Sequence, residues 1–249
     1  MDDFSLAADL VREAGLLAAR MLDEGLETEY KTSVSDVVSA ADHAAEDLVV
    51  ARLDEQRPED GLIGEEGHSR PGSRTWYVDP VDGTYNFLSG IPYWCSAVGL
   101  VDDEGPLAGA VYFPARDELW VGGRDRPTTL NGVPVAPLED RPLAGVSVAT
   151  YFHPRYTHDA VRTASWNAAT SAAAAVRMLG SASVDLGGVA SGRLGVFLQG
   201  NLHPWDWYPG AALVIGAGGV AEQVTVGATT WQLAGNRQAV ADARTALRG

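Results

Sequence analysis

The sequence is short of cysteine and of positive charge. Its 249 residues include one cysteine, Cys95, so no disulfide can form within the chain. The 18 lysines and arginines are outnumbered by 33 aspartates and glutamates, which gives a formal net charge of -15. A surface of this kind repels nucleic-acid phosphates and anionic lipids, so we expect neither nucleic acid nor a membrane as a partner.

Long apolar runs are also lacking. No uninterrupted apolar stretch approaches the roughly 18 residues of a membrane span. The start, Met1-Asp2-Asp3, has neither the basic nor the apolar region of a secretion signal. We therefore expect a cytoplasmic protein. Its 46% hydrophobic and 20% charged residues are typical of a globular chain.

Hydrophobic periodicity predicts two helices in the first quarter of the chain. Apolar residues recur at intervals of three or four from Leu6 to Met21, which indicates an amphipathic helix with Gly25 near its end. The sequence Ser39-Ala40-Ala41-Asp42 has the form of a capping box, so we expect a second helix to begin at Ser39. Short β-prone runs between turns, from about 61 to 121, favour a sheet.

Strands and helices alternate in the second half of the chain. The runs 146–151 and 194–198 predict strands, and the small residues 211–217 predict a helix. Such alternation favours an α/β fold built in layers. We place a subdomain boundary near Pro142, with residues 1–141 on one side and 142–249 on the other.

Acidic residues recur next to these predicted elements. They are Glu65 and Glu66, Asp79 and Asp82, Asp206, and Asp42. Each has an ordinary structural explanation. Adjacent glutamates are commonly solvated, and Asp-Pro and Asp-Gly are turn dipeptides. Asp206 has the place of a helix N-cap, and Asp42 that of a capping-box carboxylate.

The segment Asp79-Pro80-Val81-Asp82-Gly83-Thr84 indicates more than a turn, because it follows the apolar strand Trp76-Tyr77-Val78. Two carboxylates three positions apart on a turn can converge on one point, together with the carbonyl of Val81. Mg²⁺ prefers oxygen ligands of these kinds. The N–H groups of Gly83 and Thr84, at a predicted helix start, suit a phosphate.

Three motifs carry a resemblance to a known family. They are Gly64-Glu65-Glu66, the run from Trp76 to Phe87, and Trp205-Asp206 with a helix ending at Gly218-Gly219. In order and spacing they resemble the inositol monophosphatase family of lithium-sensitive, metal-dependent phosphatases. Lys31 and the stretch from Asp36 to Asp42 match its N-terminal segment. The resemblance implies a five-layer α-β-α-β-α sandwich with the active site between two subdomains, and commonly a homodimer.

The resemblance also implies a metal site with two to three Mg²⁺ ions. Glu65, Asp79 and the Val81 carbonyl would hold the first ion. Asp79, Asp82 and Asp206 would hold the second, and Glu65 would touch a weaker third.

Catalytic and substrate-binding roles follow from the same resemblance. Glu65 and Thr84, with Thr84 oriented by Asp42, would activate the attacking water. The implied substrate contacts are Asp82, the N–H groups of Gly83 and Thr84, the helix start Gly180-Ser181-Ala182, Gln199 and His203.

Two features depart from the family pattern. Gln199 stands where the family commonly has a glutamate that contacts the polyol, so an acceptor-only group becomes a donor and acceptor. Trp207-Tyr208-Pro209 stand beside Asp206 where the family usually has small residues.

The predicted function is Mg²⁺-dependent hydrolysis of a small polyol or sugar-like phosphate monoester, with inositol monophosphate as the first candidate and Mn²⁺ as a substitute metal. Histidinol phosphate is the close alternative, because Trp94 after Ile91-Pro92-Tyr93 suggests that branch. Nucleotide 3′-phosphates and fructose 1,6-bisphosphate are more distant. A hypothesis of another class is a non-catalytic, metal-stabilised binding or regulatory protein on the same fold.

Overall fold

The computed structural model describes residues 1–24, 28–30 and 37–249, and gives only the backbone of 28–30 and 37–39. Gly25, Lys31 and Asp36 therefore lie outside the described residues. The α-helices are α1 (Asp3–Glu24), α2 (Ala40–Gln56), α3 (Thr84–Leu88), α4 (Ala160–Ser171), α5 (Ala182–Ala190), α6 (Pro204–Gly216) and α7 (Arg237–Arg248). Within the described ranges, none combines the length and apolar content that crossing a membrane requires.

The strands form two main sheets and one short ribbon. They are β1 (Thr28–Tyr30), β2 (Val37–Ser39), β3 (Gly61–Gly64), β4 (Ser69–Arg70), β5 (Thr75–Asp82), β6 (Cys95–Asp102), β7 (Gly105–Phe113), β8 (Glu118–Gly123), β9 (Arg126–Leu130), β10 (Val133–Pro134), β11 (Ser147–Ala149), β12 (Ala175–Arg177), β13 (Val196–Gly200), β14 (Val220–Val226) and β15 (Thr229–Gly235). The large sheet has the order β10-β9-β8-β7-β6-β5-β3-β4, and the small sheet β12-β11-β13-β15-β14. β1 and β2 pair separately.

The helices cover both faces of both sheets. α1 and α2 pack together on one face of the large sheet, α5 and α6 lie between the two sheets, and α4 and α7 pack on the far face of the small sheet. The fold is therefore mixed α/β, and its layers follow the predicted α-β-α-β-α order. The subdomain division between 141 and 142 stays a prediction.

Each interface between layers has its own apolar core. Leu6, Leu10 and Trp76 belong to the core under α1 and α2; Trp120, Leu186 and Phe197 to the central core; Trp231, Leu233 and Val240 to the core under α4 and α7. All nine side chains are at most 1% exposed. Burying a side chain of this size stabilises a fold by about 1.5–3 kcal/mol, so the cores hold the layers in order.

Most predicted elements are present, with shifted ends. The first helix is α1, and the second begins at Ala40 rather than at Ser39. Asn131 and Gly132 form the turn between β9 and β10, where both residues have positive φ (50° and 77°). The last predicted helix begins earlier than 211, at Pro204, and so includes Asp206 in its first turn.

Candidate active site

Glu65 directly follows β3, and Asp79 lies on the parallel neighbour β5 just after the pairing of the two strands ends. β3 and β5 pair in parallel up to Gly64 and Val78, and the N–H of Glu65 donates to the Val78 carbonyl at 3.1 Å. Glu65 and Asp79 are therefore the next residues of two adjacent strands. Because the carboxyl ends of parallel strands meet at one edge of a sheet, these two acids are brought side by side.

A β-bulge orients Asp79 and Asp82 toward the same side. Asp79 lies opposite Ala97 of β6 and Asp82 opposite Cys95, so two residues of β5 face one residue of β6. In a regular strand, residues three apart point to opposite faces. With the extra residue, Val81 packs in a core with residues of α1 and α2, while carboxylate oxygens of Asp79 and Asp82 lie within 4.8 Å of each other.

Asp82 is held by the N-terminus of α5. Its carboxylate accepts hydrogen bonds from the Ser181 hydroxyl at 2.9 Å and from the N–H groups of Ala182 at 3.3 Å and Ser183 at 2.5 Å. First-turn N–H groups have no partner within their helix, and the helix dipole favours an anion there. Burial raises the pKa of Asp82, and these hydrogen bonds oppose the rise.

Asp206 reaches the same place from α6. It is the third residue of the helix, and His203 is the N-cap, so the alternative interpretation of Asp206 as an N-cap is wrong. Burial raises the pKa of Asp206 to about 7, and the charge of Asp82 contributes to the rise.

Asp79, Asp82 and Asp206 converge on one point. Each contributes a carboxylate oxygen to a group whose atoms all lie within 4.8 Å of one another. Asp79 is 1% exposed, and neither of its oxygens accepts a hydrogen bond from the described residues. Burial raises its pKa well above the usual range, and neighbouring carboxylates raise it further. A carboxylate buried in this way is costly unless a cation balances it, so the donor set fits a hard divalent cation.

Glu65 lies beside this group. Burial raises the pKa of Glu65 well above its usual range, and the charges of Asp206 and Glu66 raise it further. Asp42, fully buried in the first turn of α2, adds a smaller contribution of the same sign. Glu65, Glu66 and Asp42 therefore lie near one another, although the carboxylate oxygens that meet within 4.8 Å are those of Asp79, Asp82 and Asp206.

The start of α3 adjoins the bulge. The hydroxyl of Thr84, the first residue of α3, donates to the Val81 carbonyl at 3.1 Å. Gly83 has φ 96°, and a Cβ there would lie 3.1 Å from the carbonyl oxygen of Gly180 and 3.3 Å from Cβ of Ser181. Glycine therefore suits this close approach between β5 and the segment before α5.

A cavity of about 790 Å³ opens at this centre. Its lining includes every residue predicted to contact substrate: Asp82, Gly83, Thr84, Gly180, Ser181, Ala182, Gln199 and His203. Their contact with a substrate stays a prediction, as does the orientation of Thr84 by Asp42. The structure nevertheless gathers residues from both sheets and from the helices α3, α5 and α6 around one space.

Aromatic rings also line the cavity. Tyr85 is 54% exposed and Tyr151 39% exposed. His153, which directly precedes the 3₁₀ turn Pro154–Tyr156, lines the cavity with them. The His203 ring stacks on Trp205 with centroids 4.8 Å apart and an angle of 2°. No sequence pattern marks Tyr151 or His153 as cavity residues, because isolated rings in loops have no spacing signal.

A second polar pair lies in the cavity wall. The Tyr93 hydroxyl donates to Oδ1 of Asp185 at 2.7 Å, and Asp185 is 2% exposed. Burial raises the pKa of Asp185 to about 8. Nearby, Nδ2 of Asn86 donates to the carbonyls of Tyr93 and Leu179, each at 2.8 Å. The Tyr93–Asp185 and Asn86–Leu179 contacts join residues 92 and 93 positions apart, so sequence patterns cannot reveal them.

The layered fold and the largely buried carboxylate group beside the cavity fit a metal-dependent hydrolase. The sequence model of the inositol monophosphatase family matches residues 2–247, and the chain belongs to that family. One relative is inositol monophosphatase 3 of Solanum lycopersicum, 35% identical over 225 residues that cover 85% of this chain and 83% of the relative.

Solved structures agree in fold. The extragenic suppressor protein suhB of Bartonella henselae superimposes with a TM-score of 0.87 at 28% identity, covering 98% of this chain and 97% of that one. Inositol monophosphate-bound SaIMPase-II gives a TM-score of 0.81 at 25% identity, covering 98% and 93%. The protein is thus a phosphoric monoester hydrolase of the inositol monophosphatase type, which favours catalysis over the non-catalytic alternative.

Proposed function

We propose that the protein hydrolyses the phosphate monoester of a small polyol or sugar-like alcohol, with an inositol monophosphate as its substrate. The observation that carries this proposal is the convergence of Asp79, Asp82 and Asp206 within 4.8 Å beside the cavity. The cavity volume of about 790 Å³ is in the range of small-ligand sites. A relative of the same fold is described as bound to inositol monophosphate.

We propose Mg²⁺ as the metal, with two to three ions and with Mn²⁺ as a substitute. Glu65, Asp79 and the Val81 carbonyl would hold one ion, and Asp79, Asp82 and Asp206 a second, with Glu65 touching a third. The buried oxygens of Asp79 support this assignment, because no donor among the described residues balances them. When bound, such ions neutralise charge on the phosphoryl group and lower the pKa of a water molecule.

The chain's own groups would then bind the phosphate and orient the attacking water. In this proposal the N–H groups of Gly83 and Thr84 bind phosphate oxygens. Because the Thr84 hydroxyl donates its proton to the Val81 carbonyl, its oxygen has lone pairs with which to accept a hydrogen bond from the water. Asp42 orients Thr84, and Glu65 acts on the same water.

The leaving alcohol would contact the other side of the cavity. Gly180, Ser181 and Ala182 form the wall at the start of α5, and Ser181 also holds Asp82. Gln199 offers a donor and an acceptor to hydroxyl groups, and His203 presents its ring beside them. This set suits an uncharged, hydroxyl-bearing alcohol.

Histidinol phosphate is the second candidate substrate. The rings of Tyr85, Tyr151, His153 and His203 line the cavity, and such rings favour a leaving group with a flat heterocycle. Phosphate release with Mg²⁺ from inositol 1-phosphate, histidinol phosphate, a nucleotide 3′-phosphate and fructose 1,6-bisphosphate distinguishes these candidates. We expect the highest kcat/KM with inositol 1-phosphate. Equal low rates on all four would contradict a dedicated polyol phosphatase.

Asp79→Asn tests the catalytic centre directly. It keeps the size of the side chain and removes its charge, and we expect kcat to fall by at least about a hundredfold, because metal ligands and their supports commonly matter at that level. Asp103→Asn is the matched control, since Asp103 is exposed and lies in the turn between β6 and β7. Full activity of Asp79→Asn would overturn the proposed function.

Two further properties belong to the proposal. We expect millimolar Li⁺ to inhibit turnover by competing for a cation position, and inhibition that Mg²⁺ relieves would support this. Turnover unchanged by Li⁺ would contradict the expected Li⁺ competition and leave the proposed phosphatase activity standing.

A homodimer also stays a prediction, which sedimentation of the purified chain would test.

A further inference from the structure

The turn that carries Glu65 is a short hairpin loop. Residues 65–68 connect β3 to β4, and the N–H of Gly64 donates to the carbonyl of His68 at 2.8 Å across the loop. Gly67 has φ 113°, a conformation that glycine adopts readily. A loop this short leaves backbone N–H groups that need acceptors from elsewhere in the fold.

Glu46, in the second turn of α2, supplies those acceptors. It is fully buried, and its Oε2 accepts from the N–H of Glu66 at 2.8 Å. Its Oε1 accepts from the N–H of His68 at 3.2 Å and lies 2.8 Å from Nδ1 of the same histidine. One carboxylate thus binds the loop at three points.

The packing of the loop leaves Glu46 little freedom. A Cβ built on Gly64 would overlap the Glu46 carboxylate, so glycine is required for the approach. On the other side, the N–H of Glu65 is bound to the Val78 carbonyl of β5. The backbone of Glu65 is therefore held between the sheet and Glu46.

We propose that Glu46 is a positioning residue for metal binding, which holds the loop so that the Glu65 side chain stays at the cation site. This inference rests on the proposed function, because it takes Glu65 as a metal ligand. A carboxylate fits the task better than an amide, since both of its oxygens accept, whereas the NH₂ of glutamine would face an N–H group. The same helix carries Asp42 one turn earlier, so α2 supports the centre at two places.

The test measures metal binding rather than turnover. Purified full-length Glu46→Gln is titrated with Mn²⁺, and free Mn²⁺ is followed by electron paramagnetic resonance. Residues that support metal ligands commonly contribute tenfold to a hundredfold in affinity, and we expect the Mn²⁺ affinity of the Glu65-dependent ion to fall by about that factor. A role in stability alone would lower the melting temperature and leave the affinity of the folded protein unchanged.

Asp47→Asn is the matched control. Asp47 follows Glu46 on α2, is 68% exposed, and approaches the other nitrogen of His68, Nε2, at 3.4 Å without binding the loop backbone. It undergoes the same change of charge on the same helix, and we expect it to bind Mn²⁺ as the wild type does.

The double variant Glu46→Gln with Glu65→Gln makes the test specific. If Glu46 acts through Glu65, the double variant binds Mn²⁺ no more weakly than Glu65→Gln alone. Near-ultraviolet circular dichroism checks that Glu46→Gln is folded. If it is not, Glu46→Asp replaces it; this variant keeps the charge but has a shorter side chain, and we expect the same loss of Mn²⁺ affinity. Wild-type affinity in folded Glu46 variants, or full additivity with Glu65→Gln, would overturn the inference. Absence of Mn²⁺ binding by the wild type would instead overturn the proposed function beneath it.

Discussion

At the scale of single residues, side chains of the same type have different surroundings in the centre. The Asp82 carboxylate accepts hydrogen bonds from Ser181, Ala182 and Ser183. The Asp79 carboxylate accepts none from the part of the chain that the structure describes. Asp82 is therefore positioned by the protein itself, whereas Asp79 depends on a cation for its balance.

Gln199→Glu tests recognition of the leaving alcohol. Hydrogen bonds to a charged acceptor are about twice as strong as neutral ones, so we expect kcat/KM for inositol 1-phosphate to rise about fivefold relative to p-nitrophenyl phosphate, which carries no hydroxyl groups. Gln223→Glu, at an exposed position of β14, is the control for the added charge. A parallel change for both substrates would mean that Gln199 does not read hydroxyl groups.

The residue types of the centre could be predicted, but several of their partners could not. Asp79, Asp82 and Thr84 form a continuous motif, so their order and spacing are visible in the sequence. Glu46 lies 20 residues from Glu66, and Tyr93 lies 92 from Asp185. Such pairs depend on the register of strands and the packing of helices, for which a single sequence carries no local signal.

At the scale of elements, α6 shows how the fold accommodates the bulky residues Trp207-Tyr208-Pro209 that follow Asp206. Pro209 lies inside the helix, where it removes one backbone hydrogen bond and ordinarily costs about 3 kcal/mol. The helix lies against β6 and β7, where Gly99 and Gly109 approach Pro209 closely. Tyr208 packs against Tyr77 of β5, with ring centroids 4.7 Å apart. Glycines on the sheet thus make room for a bulkier helix.

Gly109→Ala tests this packing. An added Cβ would overlap the Pro209 carbonyl, and overpacking of this kind typically costs about 1–3 kcal/mol in the free energy of unfolding. Gly145→Ala is the control, because the nearest atom to its Cβ is Cγ of Pro142 at 3.9 Å, and a change within about 0.5 kcal/mol is expected. Urea unfolding measures both. Equal stability of the two variants would contradict the packing argument.

At the scale of the whole molecule, part of the negative charge is buried at the carboxylate centre. The chain has a formal net charge of -15, and the carboxylates of the centre are buried close together. Burial raises the pKa of Asp206 to about 7, against about 3.9 in an unfolded chain. Between these values the folded metal-free state keeps a proton that the unfolded state has lost. Raising the pH through that window therefore lowers the free energy of unfolding.

Addition of Mg²⁺ should consequently stabilise the protein more at pH 8 than at pH 5.5. At pH 5.5 protons already balance part of the buried charge, whereas at pH 8 the cation replaces them. A shift of about 1.5 pH units for one group corresponds to about 2 kcal/mol, so we expect the Mg²⁺-induced rise in melting temperature to be about 4–8 °C larger at pH 8. Differential scanning fluorimetry measures it, and an equal rise at both pH values would contradict the charge argument.

The layered architecture could be anticipated more fully than its assembly. Alternation of strands and helices indicated α/β layers, and the family resemblance implied five. The edge strand β12 gave no clear pattern, because it has three residues and takes its place only by pairing with β11. The expected cytoplasmic location stays a prediction.

The arrangement of the carboxylate centre depends on the extra residue that the β-bulge places between Asp79 and Asp82. Removing one residue there would restore the regular pleat of β5, and the strand could still pair with β6. Because side chains alternate between the faces of a strand, the carboxylates of Asp79 and Asp82 would then no longer keep their present orientation toward the same site. For the same reason, Glu65, Asp79, Asp82 and Asp206 placed at equivalent positions of another sheet would not converge unless that sheet had the same β-bulge. The site therefore depends on the number of residues between Asp79 and Asp82 as well as on the identity of its side chains.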